Sequence, residues 1–89
     1  MHAVIVSVTI SDGEKATAML RDEIVPRVKE APGFVAGYWV RIENTDAGRA
    51  TIVFESEDAA RAVAEQITAL ESDATTVENV QLGEVVESA

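Results

Sequence analysis

The sequence holds no cysteine, one histidine, two prolines and four aromatic side chains (one Trp, one Tyr and two Phe) in 89 residues. Without cysteine there is no disulfide framework, thiolate metal site, iron–sulfur cluster or cysteine nucleophile. Basic residues are also scarce: 7 Lys and Arg stand against 16 Asp and Glu, a net charge of −9, and nowhere do the cations cluster. Such a surface repels phosphate backbones and anionic headgroups, which excludes nucleic acid and membrane as partners. No basic segment opens the chain and no apolar run approaches roughly 18 residues, so neither a signal peptide nor a transmembrane helix is expected and a cytoplasmic location is the default. A glycine-rich phosphate loop is missing as well. His2 sits at an end of the chain that frays easily, a poor place for a catalytic base. The many carboxylates fall mostly on expected solvent faces and in turns, so no metal site and no cofactor are expected.

What is present is 47% hydrophobic sequence arranged with clear periods. The length fits one small domain, residues 1–89, whose single core is marginal and for which self-association is a natural source of stability. Ala3 to Ile10 alternates as a strand, with Val4, Val6, Val8 and Ile10 on one face and Ala3, Ile5, Ser7 and Thr9 on the other. Ser11 and Glu14 match a capping box that starts a helix with Ala16, Leu20, Ile24, Val28 and Ala31 on its apolar stripe, Met19 beside it, and Pro32-Gly33 as its stop. Pro26 predicts a kink or break near Asp22 to Val25.

Period two returns from Phe34 to Glu43, the turn is Asn44 to Gly48, and a strand runs from Arg49 to Glu55. Pairing Glu43 with Arg49 sets Val40 opposite Ile52 and Tyr38 opposite Phe54 on the face toward the helices. Trp39, Arg41, Val35 and Val53 then share the other face with Ile5. Ser56 caps a second helix, Glu57 to Leu70, with Ala60, Val63, Ile67 and Leu70 buried, and Glu71-Ser72-Asp73 ends it. Val77 to Val86 is the last strand, with Val80, Leu82 and Val86 inward and a bulge at Gly83.

The order βαββαβ is an α+β, ferredoxin-like architecture: a four-stranded antiparallel sheet with two helices on one face. An RNA-recognition variant needs a basic surface and aromatic residues on the two central strands, of which the first strand here has none, and a metal-chaperone variant needs paired cysteines; both are excluded. A Trp on the sheet face away from the helices is unlikely to be left to solvent, and a two-fold dimer packed sheet on sheet covers it in both copies. Trp39, Arg41, Ile5 and Val53 are therefore the dimer-interface candidates, the wall of a ligand pocket being the alternative for Trp39.

The whole chain resembles the dimeric α/β-barrel superfamily, most closely its small antibiotic-biosynthesis-monooxygenase-like members. The carrying segments are Ala31-Pro32-Gly33-Phe34-Val35-Ala36-Gly37-Tyr38-Trp39 and Val53-Phe54-Glu55-Ser56-Glu57-Asp58-Ala59-Ala60-Arg61-Ala62. The resemblance implies two ferredoxin-like units sharing a barrel, each with a small-molecule cavity between helices and sheet. It implies a cofactor-independent, monooxygenase-like enzyme acting on a small aromatic or quinonoid compound; the apolar face toward the helices offers Tyr38, Phe54, Met19 and Leu20 as pocket candidates. Haem-degrading members use a His on the second helix as iron ligand, and this helix has none. The alternative is a non-catalytic dimeric module that binds a small molecule or a protein. No catalytic residue is assigned.

Overall fold

The structure, a computed structural model, describes residues 1–69 and 74–89. Strands β1 (His2–Ile10), β2 (Phe34–Arg41), β3 (Ala47–Phe54) and β4 (Thr75–Glu84) form one antiparallel sheet in the order β2-β3-β1-β4. The helical layer comprises α1 (Gly13–Met19), a π-helical turn (Leu20–Ile24), α2 (Val25–Glu30) and α3 (Glu57–Thr68). This is the expected ferredoxin-like arrangement. Its core lies between the helices and one sheet face, where Val4, Val6, Ala50, Ile52 and Phe54 meet Val28, Ala60, Val63, Ala64 and Ile67. Leu70, expected on the buried stripe, and the stop Glu71-Ser72-Asp73 lie outside the described residues. Among the described residues no helix is long and apolar enough to cross a membrane.

The first helix departs from expectation at both marked places. Its cap is Asp12, not Ser11: the Lys15 amide donates to Asp12 Oδ1 at 3.1 Å, while the Ser11 and Asp12 amides donate to the Ala74 carbonyl. A carboxylate one residue on does the capping, because Ser11 is held in the connection to β4. Pro26 does not break the helix. The Val25 amide reaches back to the Leu20 carbonyl, five residues away, and this wider turn runs directly into α2 with Pro26 near its start. There the absent N–H and fixed φ of proline cost little. The second helix follows its sequence more closely, with Ser56 Oγ accepting from the Ala59 amide at 3.2 Å.

The largest correction is the β2–β3 register. Val40 pairs with Arg49, Trp39 with Ala50 and Tyr38 with Thr51, an odd shift from the expected pairing, and an odd shift exchanges the two faces of a strand. Gly48 is the cause. Read as a turn residue, it is a strand residue on the helix side, where a Cβ would stand 2.9 Å from Val8 Cγ2 and 3.2 Å from Ile10 Cδ1. The turn shortens, Ile42 donating to the Ala47 carbonyl at 3.0 Å and Asn44 taking φ 62. A bulge between Phe34 and Ala36 restores Phe34 to the helix side.

Strand β4 also differs. Its bulge lies opposite Ser7 and Val8, which brings Val77 inward, whereas Gly83 pairs regularly with Ala3. Val86 lies beyond the strand and is 87% exposed, not inward.

Gly33 sets the angle at which the chain enters β2. Its φ is +82, and a Cβ there would lie 3.1 Å from the Ala59 Cβ on α3. Gly33→Ala should therefore cost about 1–2 kcal/mol from the left-handed conformation alone, measured as a lower denaturation midpoint with an unchanged slope.

Candidate functional site

The reversed register places Trp39 on the helix side of β2 and Tyr38 on the open side, where Tyr38 is 68% exposed. Of the four pocket candidates, Phe54 is fully buried on the helix side, and Met19 and Leu20 are half-buried where α1 meets the π turn; Tyr38 is on the opposite face. Of the four interface candidates, Ile5 and Val53 lie on the open face, Ile5 exposed and Val53 half-buried, while Trp39 and Arg41 are turned to the helices. The open face instead gains Tyr38 and Val40.

On the helix side the aromatic residues form a row. The Phe34 and Phe54 rings meet edge to face with centroids 6.2 Å apart. The Trp39 indole lies over Gly37, and a Cβ at residue 37 would stand 2.8 Å from Trp39 Cη2 and 3.6 Å from Phe34 Cε1. Beyond it Arg41 Nη2 donates to the Gly13 carbonyl at 3.1 Å and to Thr17 Oγ1 at 3.2 Å, fastening the end of β2 to α1. Both acceptors are neutral. Among the described residues Arg41 and Arg27 make no ion pair, in a chain with more than twice as many acids as bases.

Two surface grooves flank α3. One, of about 270 Å³, runs between α2 and α3, with Arg27, Glu30 and Gln66 around an apolar floor of Ala31, Pro32, Ala59, Ala62 and Val63. Val63 belongs to the same core cluster as Phe54, against which Ala31, Ala59 and Phe34 pack, so the apolar floor of this groove is continuous with the core. The other, of about 360 Å³, lies between α3 and β4 over Ala64, Val80 and Leu82. Met19, Leu20, Tyr38 and Phe54 line neither groove.

Charged chemistry is confined to the surface. No described residue is both buried and polar or charged. Arg61 Nη2 donates to Glu57 Oε1 at 2.7 Å, and His2 Nε2 stands 4.0 Å from Glu57 Oε2. That hydrogen bond, with the Arg61 charge and then the His2 charge, holds the Glu57 carboxyl below the ordinary carboxylate range. Among the described residues no three His, Cys, Asp or Glu side chains gather as a metal site. A haem held through an imidazole on the second helix does not fit: the inward residues of α3 are Ala60, Val63, Ala64 and Ile67, and His2 is on β1, its imidazole beside the Glu57 carboxylate at the start of α3.

Sequence reasoning did not find Gly37, Phe34, Arg27 or the α2–α3 groove. A signal for the first existed: glycine two residues before tryptophan on one strand leaves the space into which a large side chain can fold.

The chain matches no protein-family model and no curated protein. It is similar to solved structures along its whole length. SnoaB, a cofactor-independent oxygenase from Streptomyces nogalater, is 18% identical over 98% of this chain and 94% of that one, with a TM-score of 0.73. A mutant of MhuD, the haem degrader from Mycobacterium tuberculosis, with two manganese protoporphyrin IX molecules per active site, is 16% identical over 100% and 98%, with a TM-score of 0.68. A monooxygenase from the gene ActVA-Orf6 of Streptomyces coelicolor, in complex with Nanaomycin D, is 15% identical over 98% and 92%, with a TM-score of 0.61. The chain therefore has the ferredoxin-like α+β fold of these proteins.

Proposed function

We propose that the protein is a homodimer that binds a small aromatic or quinonoid compound on the helix side of each sheet and acts as a cofactor-independent monooxygenase-like enzyme. The observation that carries the reading is the aromatic row Trp39, Phe34 and Phe54 on the helix side of the sheet, with Arg27, which makes no ion pair among the described residues, at the rim of the α2–α3 groove. Apolar floor with few polar groups at the edge is the composition of a small-molecule site, and the rim cation suits an acidic phenol or enol. SnoaB and ActVA-Orf6, which share the fold, support the same direction.

Without a cofactor, the substrate itself must supply the electrons. An activated ring methylene and O₂ give a ring carbonyl and water: two C–H bonds break, one oxygen atom becomes the carbonyl and the other leaves as water. The protein's part is to hold the ring, exclude water and offset the negative oxygen of the ionised substrate.

The second reading is a binding module without chemistry, favoured by the absence of any polar or charged residue from the described core. An oxygen electrode separates the two. With 1,8-dihydroxyanthrone as substrate, the enzyme reading expects one O₂ consumed per anthraquinone formed, above the rate without protein. Saturable binding with no added oxygen uptake would select the module.

The open face supports self-association. Ile5, Val35, Tyr38 and Val40 are exposed apolar or aromatic side chains, and Val53 lies among them half-buried. One copy laid on another across a two-fold axis covers the same patch twice.

A further inference from the structure

The geometry points to Gly37 as a residue that sets how large a planar ligand the helix side accepts, by letting the Trp39 indole lie flat along β2. The inference rests on the proposed ligand reading above. Residues 37 and 39 point to the same side of the strand, so a side chain at 37 competes directly with the indole for space. A Cβ at 37 would approach Trp39 Cη2 to 2.8 Å and Cζ3 to 2.9 Å. Neither contact is one that real Cβ atoms tolerate, and both fall on the outer edge of the ring, the part of Trp39 most able to move. The backbone is no obstacle to alanine, since Gly33 is the one glycine with positive φ among the described residues.

Lying flat, the indole continues the ring surface begun by the half-buried Phe34, whose edge packs against the buried Phe54. It does so at an end of the row that is only half-buried. The indole N–H has no protein acceptor among the described residues, and no buried side-chain nitrogen or oxygen lacks a partner, so this donor opens to the site's exterior. A planar ligand can therefore stack on the half-buried Trp39 and Phe34 rings and accept a hydrogen bond from the indole N–H. Lifted by a methyl at residue 37, the indole would stand into the same space and shorten it. Small rings would still fit; extended ones would not.

Trp39 is the sole tryptophan of the chain, so its emission reports this one place. The experiment titrates phenol and anthraquinone-2-sulfonate into wild type, Gly37→Ala and the double variant Gly37→Ala/Trp39→Phe, reading emission and near-ultraviolet dichroism where the indole is present and calorimetry in all three. Gly37→Ala is expected to shift the indole dichroism, weaken the three-ring probe at least about tenfold, and leave phenol within about twofold. The double variant should regain most of the three-ring affinity, which a general loss of folding would not allow. An indole signal that shifts while both probes bind as before overturns the role of Gly37 and leaves the ligand reading standing. Failure of wild type to bind either probe overturns the ligand reading, and this inference with it.

Discussion

Ile5→Asp should convert the proposed dimer to a monomer at micromolar concentration. Ile5 lies on the central strand β1, opposite Thr51 on one side and Gln81 on the other, on the face turned away from the helices. Neither neighbour can neutralise a carboxylate. In a sheet-on-sheet dimer each copy would bring an unpaired charge into dry contact, at several kcal/mol apiece, enough to weaken association by about a thousandfold or more. In the isolated subunit Ile5 is exposed and the substitution costs little. Sedimentation velocity of both proteins at equal concentration makes the comparison. Equal dimer populations, or a monomeric wild type, would remove the open face from consideration as the interface. Trp39→Asp should behave differently, because Trp39 packs toward the core; it should perturb the helix side and leave assembly intact.

Phe54→Ala should remove a large part of the stability of the subunit. Phe54 is the largest fully buried side chain, paired on β3 with Phe34 and packed edge to face against it. Truncating a buried Phe costs about 3–5 kcal/mol, through lost burial and the cavity left behind. Domains of this size are stable by roughly 5–15 kcal/mol, so the loss approaches the whole for a chain near the lower end. Urea unfolding at fixed protein concentration measures it, the concentration being held because association and folding are linked. Phe54→Leu, which keeps most of the volume, should cost well under half as much. Near-equal midpoints for wild type and Phe54→Ala would mean that the helical layer closes over the gap.

Both variants probe places that the sequence located unequally. The strands and helices were legible because β1 alternates strictly and α3 repeats Ala60, Val63 and Ile67 on one face. Phe54 was read to the correct side because its apolar neighbours on β3 leave it no choice. Trp39 and Tyr38 were not, because β2 is an edge strand with apolar residues at both parities, so its pattern alone permits either orientation. What decides between them is non-local: the fit of Gly48 beneath Val8 and Ile10, and the bulge at Val35 that turns Phe34 inward. Local pattern also placed the disturbance caused by Pro26 correctly. It did not reveal that a wider turn would absorb it, since that depends on the Leu20 carbonyl finding the Val25 amide.

That wider turn has a consequence for the azimuth of one half-helix relative to the other. Each residue of an α-helix advances about 100° around its axis, so a loop of chain one residue longer than an ordinary turn rotates everything before it against everything after it. With the extra residue in place, Val28 points into the core while Thr17 meets Arg41 at the far end of the same rod. Closing Leu20–Ile24 into a regular α-helix with every residue kept would, with Val28 held inward, carry Thr17 about a quarter-turn from Arg41, whereas deleting one residue along with the wide turn would leave both anchors in place. The π turn thus acts as a phase adjuster, by which one continuous helix satisfies two anchors whose spacing a uniform helical repeat does not match.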